Sequence, residues 1–141
     1  MAKIFKNKSM QRKVVIKESE MRCVVVESPY AGNIKESLEY VRQCMADCLK
    51  RGEAPFASHA LYTQDGMLDD SVPEERKLGM EAGFEIGRRM DATIVYTDLG
   101  VSGGMKAGIN RAVLDKRPVE WRSLTPIGKW ENYQLNKEKL R

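Results

Sequence analysis

Three polar segments hold the side chains best suited to chemistry. In the first, Ser28-Pro29-Tyr30-Ala31-Gly32-Asn33, a serine and a tyrosine hydroxyl sit beside flexible backbone at Gly32, just ahead of a predicted helix. Exposed N–H groups at such a helix start can hold an anion, or the segment is a structural turn capped by Asn33. The second, Ser58 to Gln64, contains His59, the only histidine of the chain. A neutral imidazole there can donate to a sugar hydroxyl or phosphate, or exchange a proton near neutral pH; a capping or packing role is the alternative. The third, Thr97 to Gly104, opens with Asp98, whose carboxylate can accept hydrogen bonds from a base or ribose. Ser102, Gly103 and Gly104 share that opening and Met105 follows. Glu74 and Glu75 begin another helix, where one carboxylate points to the rim of an opening or both are simply solvated.

Several familiar chemistries are not indicated. Gly100-Val101-Ser102-Gly103-Gly104 is not a nucleophile elbow, and neither a dinucleotide fingerprint nor a phosphate loop is present; no cofactor is expected. Cys44 and Cys48 are four apart on a predicted helix and could offer two thiolates. With one histidine and no further cysteine pair, they read as buried small residues, and no metal site is expected. Three cysteines make no disulfide framework, which suits a reducing cytoplasm. No apolar run long enough to span a membrane occurs.

The elements that must position these residues alternate. Cys23–Val26 is β-branched and apolar, as in a strand covered on both faces. Ile34, Leu38, Val41, Met45 and Leu49 form one helical stripe, ended by Gly52. A short strand is expected near 54–58. A helix follows from Pro73 to about Met90, capped by Asp70 or Ser71, with Gly79, Gly83 and Gly87 allowing close approach by a neighbour. Asp91–Tyr96 supplies another strand, Met105–Leu114 a helix, and Pro118–Arg122 a last strand. This alternation implies right-handed crossovers and an α/β fold with helices on both faces of a mainly parallel sheet. Ligands of such sheets bind beyond the carboxyl ends of the strands, where the three polar segments should meet.

Residues 1–18 carry six Lys or Arg against one Glu, and residues 125–141 carry four against two, so the net charge of +4 belongs to the ends. The chain therefore divides into a basic N-terminal arm (1–18, loose over its first ten residues), an α/β domain (19–124) and an apolar-tinged tail (125–141) expected to dock. Basic ends can attract nucleic acid. Without interleaved aromatic platforms, solvated tails are favoured.

Taken in order, Val26-Glu27-Ser28-Pro29-Tyr30-Ala31-Gly32, Ala57-Ser58-His59-Ala60-Leu61-Tyr62, Pro73-Glu74-Glu75-Arg76, Asp91–Tyr96 and Ser102-Gly103-Gly104-Met105-Lys106-Ala107-Gly108-Ile109 resemble the nucleoside 2-deoxyribosyltransferase-like family, especially its small phage and bacterial members. The resemblance spans roughly residues 22–124. It implies a flavodoxin-like, three-layer α/β fold with a central, mainly parallel sheet of about four or five strands, homo-oligomers, and a nucleoside or nucleotide ligand. It also implies a glutamate that attacks the anomeric carbon, forming a glycosyl-enzyme that a second base or water releases. That glutamate lies in the helix after the Ser-x-Gly-Met turn, and the corresponding residue here is Gly108. Two readings follow. Glu75, Asp98 and His59 serve as acid, base or nucleophile in hydrolysis or transfer at an N-glycosidic bond, or the pocket binds nucleotides without catalysis. Nucleic-acid association through the basic ends is a third.

Overall fold

The computed structural model describes residues 3–7, 12–16 and 20–125. Two N-terminal strands, β1 (Lys3–Asn7) and β2 (Arg12–Ile16), pair antiparallel from Lys3 opposite Ile16 to Asn7 opposite Arg12. The loose arm expected over the first ten residues thus contains a paired strand, in which Phe5, Ile4 and Lys3 lie opposite Val14, Val15 and Ile16. The tail from residue 126 onward, expected to dock, lies outside the described residues.

The main sheet has four strands, β3 (Cys23–Glu27), β4 (Ala54–Phe56), β5 (Ala92–Tyr96) and β6 (Val119–Arg122). They run parallel in the order β4-β3-β5-β6. The helices are α1 (Ile34–Lys50), α2 (Ser58–Leu61), α3 (Pro73–Gly87) and α4 (Gly103–Leu114). The chain leaves β3 for one edge and returns to its other side at β5, so the carboxyl ends of β3 and β5 flank the switch point where open α/β sheets place ligands.

Strand alternation assigns the faces. Val24, Val26, Ala92, Ile94 and Tyr96 pack with Tyr40, Val41, Cys44 and Cys48 of α1 in one buried core. Cys44 and Cys48 therefore serve as core residues. The intervening residues turn the other way: Val25 lies against the path of α3, 3.6 Å from where a Cβ on Gly87 would sit. Glu27, two residues on, shares that face and approaches α4. The sheet is thus sandwiched by α1 on one side and by α3 and α4 on the other.

Local signals behaved as their chemistry requires at most boundaries. Asn33 caps α1, its side chain accepting from the Glu36 N–H at 3.2 Å, and Gly52 takes a left-handed φ of +77° just beyond the helix. The cap of α3 differs from expectation. Val72 occupies the N-cap without a side-chain bond, because Asp69 instead accepts from both the backbone and hydroxyl of Ser71.

The three glycines of α3 do meet neighbours, and not equally. A Cβ on Gly83 would lie 2.8 Å from the Ser58 Cβ, whereas one on Gly79 would meet only the flexible Leu68 Cδ1 at 3.2 Å. Overpacking costs about 1–3 kcal/mol, against a gain of roughly 1 kcal/mol from replacing a helical glycine. Gly83→Ala is therefore expected to lower stability in urea unfolding by about 1 kcal/mol, while Gly79→Ala leaves it unchanged or raised.

Candidate functional site

A cavity of about 210 Å³ opens at the switch point. This is below the usual 300–1,000 Å³ of ligand pockets, so it suits a small metabolite. Its walls come from the end of β3, α2, one face of α3 and the start of α4. Ser28, Tyr30, His59, Ser102, Gly103, Gly104 and Met105 all line it, so most of the three polar segments do converge.

Other expected site residues do not join them. Asp98 is not among the residues lining this cavity. Its carboxylate accepts from Tyr40 Oη at 2.6 Å, Ser123 Oγ at 2.5 Å and the Leu124 and Thr125 N–H groups. Burial raises its pKa, but those bonds together outweigh burial and hold it below the ordinary value. Asp98 is thus a clasp between α1, β5 and the segment after β6, with its lone pairs occupied. Glu75 lines a smaller neighbouring groove that also contains His59, and it accepts a long 3.4 Å bond from the Asp69 N–H. Gly32, at φ +98°, lines an outer groove with Tyr30. Asn33 is used as the α1 cap.

What sequence reasoning passed over is Glu27. It ends β3 on the α4 side and lines the cavity. Desolvation raises its pKa to about 8, only partly opposed by the positive charge of Arg117. Among the described residues no hydrogen bond or ion pair reaches its carboxyl. A Cβ on Gly108 would fall 2.8 Å from Glu27 Oε2 and closer still to Cδ and Oε1. The carboxyl thus occupies the space above Gly108. A charged residue terminating an apolar strand at the carboxyl edge of a parallel sheet was the available signal.

His59 faces the same cavity from α2, the short helix that follows β4. Its Nε2 lies 2.7 Å from the Ser28 hydroxyl, and Ser28 is buried at 4% exposure. Desolvation lowers the His59 pKa to about 4. At neutral pH the carboxyl therefore keeps its proton while the imidazole is uncharged, the reverse of their usual order. Environments that push two titratable groups in opposite directions mark an acid and a base.

Arg117 lines the cavity floor, donating to Thr93 Oγ1 at 2.9 Å and the Gly87 carbonyl at 2.6 Å. At the mouth, Arg76 pairs with Asp70 at 3.5 Å. Among the described residues no cluster of three or more acidic, histidine or cysteine side chains could hold a metal. No helix among them is long and apolar enough to cross a membrane.

Residues 22–122 match the family described as Domain of unknown function (DUF7768). The chain belongs to that family. No curated protein matches this DUF7768 chain. Among solved structures, it is similar to the 2-deoxyribosyltransferase of the psychrotolerant bacterium Bacillus psychrosaccharolyticus. The TM-score is 0.55, with 18% identity, 82% of this chain and 80% of that chain covered. At that identity the likeness is one of fold. That enzyme is described as a biocatalyst for the synthesis of antiviral and antitumoral nucleosides.

Proposed function

We propose that the cavity binds a nucleoside or nucleotide and hydrolyses its N-glycosidic bond, with Glu27 as acid and His59 as base. The observation that carries this reading is the Glu27 carboxyl: desolvated, without a hydrogen-bond partner among the described residues, and facing a cavity at the sheet's switch point. The fold shared with a 2-deoxyribosyltransferase supports the substrate class.

The reaction balances with the groups present. Glu27 gives its proton to a nitrogen of the departing base, and the electron pair of the C1′–N bond leaves with that base. Water adds its oxygen to C1′ and passes a proton to His59 Nε2, directly or through the Ser28 hydroxyl. Solvent exchange then returns the proton to Glu27. Water adding to an oxocarbenium-like carbon is strongly acidic, so a weak base suffices. A second nucleobase in place of water would give transfer.

The test is incubation of the full chain with a panel of nucleosides and their 5′-monophosphates, followed by chromatography of the products. Free base in equal amount with free sugar, or with sugar 5-phosphate from a monophosphate, is expected from at least one of them. Recovery of a bound but intact ligand would favour a noncatalytic nucleotide-binding protein, and a lack of any binding would remove the nucleotide reading altogether.

A further inference from the structure

We propose that Gly108 is a positioning residue: its missing side chain holds the Glu27 carboxyl in the cavity, and the two positions form one exchangeable unit that brings a single carboxyl to a single point. The inference deepens the hydrolytic reading above and rests on it for its activity arm.

The argument begins with space. Every atom of the Glu27 carboxyl lies closer to the ideal Cβ position of Gly108 than real Cβ contacts allow, the farthest at 2.8 Å. Gly108 is itself buried in the middle of α4 and has no left-handed φ to justify a glycine there. A glycine inside a helix costs about 1 kcal/mol relative to alanine. The neighbour that explains it is Glu27. Any side chain at 108 would evict the carboxyl from its place or be evicted by it.

The second part concerns delivery. Glu27 reaches this point from the strand end, with the alternation of β3 turning it toward α4. Position 108 faces the same point from the helix. A carboxyl is a terminal group on a flexible stem, so what the cavity experiences is where the group lies rather than which backbone carries it. Removing the side chain at 27 empties the volume into which a glutamate at 108 would grow. The exchanged pair conserves charge, group and approximate volume.

Five full-length proteins test this: wild type, Glu27→Ala, Gly108→Ala, Glu27→Ala/Gly108→Ala and Glu27→Ala/Gly108→Glu. Thermal unfolding reads the shared space without any need for turnover. The Gly108→Ala change is expected to shift the melting temperature by a different amount in the wild-type background than in the Glu27→Ala background, because residues in contact do not give additive effects. In Gly108→Ala the carboxyl must swing toward solvent. Its titration, followed by carbon-13 NMR of the glutamate carboxyl, should therefore fall from about 8 toward the ordinary 4.5. A merely structural glycine would not move that titration.

The activity arm compares base release. Glu27→Ala/Gly108→Glu is expected to exceed Glu27→Ala by about tenfold or more, equivalent to roughly 1.4 kcal/mol of barrier. Additive melting shifts with an unmoved titration would overturn the positioning role. Coupled shifts without recovery of base release, in the presence of active wild type, would overturn the exchange. Coupling with a wild type that releases no base would leave Gly108 as the residue that places Glu27 and would reject the hydrolytic reading instead.

Discussion

Glu27→Gln lowers base release by between about a hundredfold and ten thousandfold, the range attributed to a positioned proton donor, while the protein stays folded. The amide fits the same space but cannot give up a proton to a departing base. Stability supplies an independent readout. Glu27 has a folded-state pKa of about 8 against 4.5 when exposed, so between those values the unfolded chain releases a proton that the folded chain keeps. Stability must then fall as pH rises across that interval. His59, at about 4 folded against 6.5 unfolded, acts in the opposite direction between 4 and 6.5. There the unfolded chain holds the extra proton, and stability rises with pH. The two slopes oppose each other up to 6.5, leaving the Glu27 slope alone from 6.5 to 8. Wild type should lose about 1.4 kcal/mol per pH unit from this group over that window, and Glu27→Gln should not. Urea unfolding at several pH values measures the difference; parallel profiles would mean that Glu27 is not desolvated.

The second large effect lies far from the cavity. Glu53, 5% exposed, accepts from Arg122 at 2.6 Å and 2.8 Å and from Arg22 at 2.7 Å and 3.0 Å. These bonds, those from Arg122 foremost, hold its pKa at about 2. Glu53→Ala leaves the Arg122 guanidinium, 11% exposed, without its main partner. Breaking a buried pair from one side costs about 3–5 kcal/mol. The expectation here is about 3 kcal/mol, because Glu120 remains 3.7 Å from Arg122. The depressed pKa fixes the sign of the acid response. Stability from Glu53 is complete above the unfolded value of 4.5 and drains away as pH falls toward 2. A melting temperature unchanged by the substitution would show the cluster to be a solvated one.

The sheet was legible because its signals are local. The β-branched run at Cys23–Val26, the stripe on α1 and the alternation of strands and helices each follow from period and propensity, and together they place the ligand site at the carboxyl edge. Tyr30, His59 and Ser102 could be assigned to that edge for the same reason. Asp98 could not be excluded by sequence, because its hydrogen-bond partners lie between 25 and 58 residues away, on α1 and beyond β6. The role of Glu27 was obscured for a related reason: a glutamate closing a strand resembles any solvated strand end until a helix from another part of the chain covers it. Gly108 read as a missing group. Its meaning appeared only with its neighbour, eighty-one positions earlier, in the space above it. The first N-terminal strand was likewise hidden by its polar composition, since Lys3–Asn7 carries two lysines and an asparagine.

The most direct measurement is the pH dependence of kcat/KM for base release from a responsive nucleoside, which reports the acid and base of the free protein. Proton donation by Glu27 to the leaving base, with His59 uncharged, should give a plateau bounded near 4 and near 8, with the rate falling tenfold per unit above the upper limit. A rate that climbs through pH 8 would mean the ionised carboxylate is the active form, and donation from Glu27 would then be wrong.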